Sequence, residues 1–161
     1  MQNEWLLSAA NLFEKTLEKQ AQQLLVQALE ASKASAKAET IAEKKALLVQ
    51  ASRYYFEFSR IHPRSHRMIS ELAQIYCELA KIAGIEDDKS ELIKYLKLAC
   101  AQYQYLIDEL SPQNEVEILK NSLNMLAKLK PLTDHELDFA DIVEALWSSD
   151  AQPSLQYPTY Q

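Results

Sequence analysis

An all-α fold follows from three features of this 161-residue sequence. Apolar residues recur at three- and four-residue steps along most of it, the period of an amphipathic helix. No segment alternates as a half-buried strand would. Gly84 is the sole glycine, which leaves the tight turns of β proteins without their usual residue. The sequence predicts about six helices in antiparallel hairpins, forming a helical-repeat-like array or an irregular bundle. Hydrophobic residues are 48% and charged residues 25%, enough for one globular core and too apolar for general disorder.

The first helix is predicted over about residues 3–31. Leu6, Ala10, Phe13, Leu17, Ala21, Leu24 and Ala28 form one stripe on it. Residues 31–38 lose that stripe and read as a bend or loop, although their alanines favour helix. A second helix runs from about Glu39 to Ile61 along Ile41, Leu48, Ala51, Tyr55 and Phe58, and stops at Pro63. Ser65 reads as an N-cap for a third helix carrying Ile69, Leu72, Tyr76, Leu79 and Ala83, with Gly84 as its C-terminal stop.

Asp88, followed by Glu91, caps a fourth helix along Leu92, Leu96, Ala99, Tyr103, Ile107 and Leu110, which halts at Pro112. A fifth, about 114–129, carries Val116, Leu119, Leu123 and Leu126. Thr133-Asp134-His135-Glu136 reads as a capping box that opens a sixth helix to about Trp147. The organisation expected is a helical body over 1–130, an acidic amphipathic helix over 131–148 and a flexible tail over 149–161.

Charge is distributed unevenly. The net charge is −6, and residues 131–161 supply all of it, with Asp134, Glu136, Asp138, Asp141, Glu144 and Asp150 and no Lys or Arg. All four arginines, Arg53, Arg60, Arg64 and Arg67, fall together in the middle, joined by His62 and His66. This is the one segment suited to phosphate. A chain of isoelectric point about 5.1 lacks the broad positive surface that counterion release requires. A small nucleic-acid-associated subunit using the Arg53–Arg67 cluster is therefore the alternative, not the leading reading.

Catalysis and cofactors find little support. One glycine cannot build a phosphate-binding loop or a dinucleotide fingerprint. Cys77 and Cys100 lie within apolar helical patterns, where a thiol is a small hydrophobe. His62 and His66 have the spacing of two ligands on a helix, but Pro63 lies between them. The expectation is no enzyme, no cofactor and no metal. The N-terminus lacks the basic and apolar regions of a secretory signal, and no apolar run exceeds four residues. A cytoplasmic protein without a membrane span is expected.

Two helix ends resemble each other at an offset of 49 residues, Ala51, Tyr54, Phe56, Phe58, Ile61 and Pro63 falling on Cys100, Tyr103, Tyr105, Ile107, Leu110 and Pro112. Leu72-Ala73-x2-Tyr76, Ala51-x3-Tyr55 with Pro63, and Ala99-x3-Tyr103 with Pro112 are further correspondences. Over about residues 45–130 the chain resembles tetratricopeptide repeats. Ile69 stands where that family prefers Trp, Ala73 replaces its glycine, and the spacing is longer than its 34 residues. The resemblance implies a non-catalytic scaffold that grips a peptide or partner helix in a concave groove.

The predicted function is therefore protein–protein interaction, as an adaptor, chaperone-like protein or assembly subunit. Tyr54, Tyr55, Phe56 and Phe58 cannot all face one core, because successive helical residues point about 100° apart. Tyr54, Tyr55 and Phe58 with Arg60, Arg64 and Arg67 form one candidate partner surface. Phe139, Val143, Leu146 and Trp147 form a second, an apolar face on an acidic helix that docks either on this chain or in another protein's groove. The opposite charges of the two regions also suggest a removable acidic lid over the arginines. The N-terminal stripe offers a homodimer seam.

Overall fold

Thr40 and Asp88 set the frame of the fold. Each starts a helix by accepting a hydrogen bond from the amide three residues on, Glu43 N at 3.1 Å and Glu91 N at 3.0 Å. The computed structural model describes residues 2–134 and 136–148. The helices are α1 (Gln2–Ala36), α2 (Ile41–Ile61), α3 (His66–Ile85), α4 (Lys89–Glu109), α5 (Val116–Leu129) and α6 (Phe139–Ser148), with a 3₁₀ turn over Lys130–Thr133. Among the described residues there is no strand.

Short connections make successive helices antiparallel neighbours, and α1 packs on α2, α2 on α3, α3 on α4 and α4 on α5. The central element is α3, with twelve of its twenty residues buried, among them Leu72, Ile75, Leu79 and Ile82. Polar contacts fasten both ends. Lys45 on α2 bridges Glu86 and Glu91 at the α3–α4 turn, at 2.8 and 3.0 Å. At the opposite end, Tyr105 on α4 donates to the carbonyl of Pro63 at 2.8 Å.

Three local expectations are corrected. The first helix does not bend at 31–38 but continues to Ala36. Its buried stripe continues there as Ala31 and Ser35, small residues that let α2 approach closely and that a search for large apolar side chains overlooks. Gly84 does not end α3, which runs on through it to Ile85. The left-handed residue is Asp87, at φ 61°. The amides of Asp88 and Asp87 close back on the carbonyls of Ala83 and Gly84, the paired bonds of a Schellman stop.

Ser65 is the N-cap of α3, as expected, the first turn closing on its carbonyl without a side-chain cap bond. The third correction concerns the start of α6. The proposed box at Thr133–Glu136 does not open α6, which begins later, at Phe139. Asp134 accepts from the amide of Glu136, a local turn, and Asp138 supplies the carbonyl for the first bonds of α6. His135 and the expected tail at 149–161 lie outside the described residues.

The resemblance between the α2 and α4 halves has a structural counterpart, but at 48 residues. Thr40 matches Asp88 as cap, and the buried positions Leu48, Ala51, Tyr55 and Phe58 match Leu96, Ala99, Tyr103 and Leu106. The prolines fall at 49 because the loop after α4 is longer, and α5 starts 50 residues after α3. The offset thus slips along the unit.

Candidate interaction surfaces

The aromatic quartet on α2 divides by helical angle. Tyr55 and Phe58, three residues apart, point into the core at 2% and 5% exposure. Tyr54 lies half-buried on the shoulder, its hydroxyl 3.3 Å from Gln50 Nε2. Phe56 alone faces outward. The expectation of Tyr55 and Phe58 as partner contacts is corrected: their apolar area is already buried within this chain.

Arg60, Arg64 and Arg67 are exposed around the α2–α3 turn. Arg60 lies 3.9 Å from Glu57. Arg53, two turns earlier on α2, is exposed but not part of this turn. The two histidines serve different carboxylates, one on α1 and one just before α5. His62 Nε2 meets Glu18 of α1 at 2.9 Å, and His66 Nδ1 meets Glu115 at 2.6 Å. They stitch the turn to α1 and to the start of α5 rather than converging on one point. Glu115 has a left-handed backbone, at φ 50°. A shallow hollow of about 400 Å³ lies at the turn, lined by Ile61, His62, Pro63, Arg64 and Ser65.

The acidic C-terminal helix docks on its own chain. Ile142, Leu146 and Trp147 are buried, while Phe139 and Val143 are half-buried against the core. Lys89 Nζ donates to the carbonyl of Leu137 at 2.8 Å, and Lys128 Nζ approaches that of Leu146 at 3.5 Å. Lys81 Nζ stands 5.1 Å from the centre of the Trp147 ring, an attraction that offsets part of the cost of its burial. Leu146 and Trp147 are therefore core residues, not a free partner surface.

The lid is corrected as well. Val143 sits over Gly84, at the C-terminal end of α3, whereas Arg67 is at its N-terminal end. Seventeen helical steps put about 25 Å between them.

Cys77 and Lys81 of α3 and Tyr103 of α4 form a buried group. Burial pushes the Cys77 thiol up to about 12 despite the nearby lysines. It raises the Tyr103 phenol and lowers the Lys81 ammonium by the same cause. A thiol so held is protonated at neutral pH and gives no nucleophile.

Among the described residues, the most exposed apolar surface is on α1. His62 closes the end of α2 against Glu18, so the part of α1 before that contact projects past the helix that covers the rest. That overhang extends about 24 Å. It carries Trp5, Leu6, Leu7, Leu12 and Phe13, exposed by 71, 57, 64, 67 and 65%. Leu6 and Phe13 continue the line of Ala21, Ala28 and Ala31, which α2 buries. Trp5 and Leu12 widen it on one side and Leu7 on the other, so large apolar side chains occupy an arc of about 220°. Sequence periodicity found the stripe but could not show where its cover ends. The signal available was the length of α1 relative to α2.

No protein family, curated protein or solved structure matches the chain. No helix among the described residues is long and apolar enough to cross a membrane.

Proposed function

We propose that this chain is a non-catalytic interaction module, an adaptor, chaperone-like protein or assembly subunit, whose binding element is the overhang of α1. One observation carries the reading: five large apolar side chains stand in solvent on a single projecting helix. A helix that is apolar over more than half its circumference is normally covered. Contiguous exposed apolar surface of this kind marks a site of interaction. The partner element is a helix or helical hairpin, which lies along a helical stripe through residues at i, i+3, i+4 and i+7. The exposed arginines at the adjoining α2–α3 turn form the polar rim of that surface.

The test is affinity purification from the native cell lysate with the wild-type chain and a Trp5→Glu/Phe13→Glu variant. A specific protein, or further copies of this chain, held by the wild type and lost by the variant is expected. Equal recovery of the same proteins by both would refute the overhang as the binding element.

A further inference from the structure

We draw no further inference here: the strongest candidate, the exposed apolar face of the α1 overhang around Trp5, Leu12 and Phe13, carries nothing beyond the binding element already proposed, because nothing in the structure shows what covers it.

Discussion

Replacing Gly84 by alanine should cost stability, against the ordinary direction of that substitution in a helix. Gly84 lies inside α3, where alanine is favoured over glycine by about 1 kcal/mol. A Cβ there would stand 3.2 Å from Val143 Cγ2 and 3.5 Å from Leu92 Cδ1. The Leu92 contact is ordinary; the Val143 contact requires α6 to retreat by a few tenths of an ångström. Overpacking of this kind costs about 1–3 kcal/mol, so the net loss expected is about 1 kcal/mol, or roughly 2–4 °C in Tm. In a Val143→Ala background the obstruction is gone and Gly84→Ala should stabilise by about 1 kcal/mol. The double-mutant cycle, measured by urea unfolding, should therefore show a coupling of about 2 kcal/mol. If Gly84→Ala stabilised both backgrounds equally, α6 would not rest on Gly84 and the cis docking of the acidic helix would be refuted.

Two further outcomes follow from the frame. Thr40→Ala and Asp88→Ala each remove a side-chain cap and should each cost about 1 kcal/mol in urea unfolding; a loss near zero at either would show that its helix start is held by packing alone. Thiol labelling of the native protein at pH 8 should modify half-buried Cys100 and spare Cys77 until unfolding, because a thiol of pKa about 12 is thiolate in only about one molecule in ten thousand at that pH. Fast labelling of two thiols per chain would contradict the burial of Cys77.

Punctuation was legible in the sequence where one residue acts alone. Asp88 announces α4 through its own side chain, and Pro63 ends α2 because the residue before proline avoids helical geometry. Features that depend on a distant segment were not legible. Gly84 looks like a helix stop, but its missing Cβ is explained by Val143, which is 59 positions further along. Ala31 and Ser35 look like a break in an apolar stripe until α2 is laid over them. The aromatic quartet was divisible in principle by angle, yet only the positions of the neighbouring helices decide that Tyr55 and Phe58 are inside and Phe56 is not. The 49-residue offset came from matching prolines, which record loop length as well as helix register.

The same asymmetry separates the two halves of α1. Both halves carry one stripe of constant period, but the half under α2 is lined by Ala21, Ala28, Ala31 and Ser35, and the overhang by Leu6, Phe13 and Leu17, with Trp5 and Leu12 on its shoulder. Small residues bring helix axes close and give little apolar area; large ones do the reverse. An isolated helix of about sixteen residues is only marginally stable in water. The N-terminal half thus has the weaker claim to helical order by itself and the larger apolar area to give to a neighbour. Covering it supplies binding and order together, so whatever lies on the stripe contributes to the stability of α1 as well as to recognition. That coupling favours an occupant that itself offers an apolar helical face.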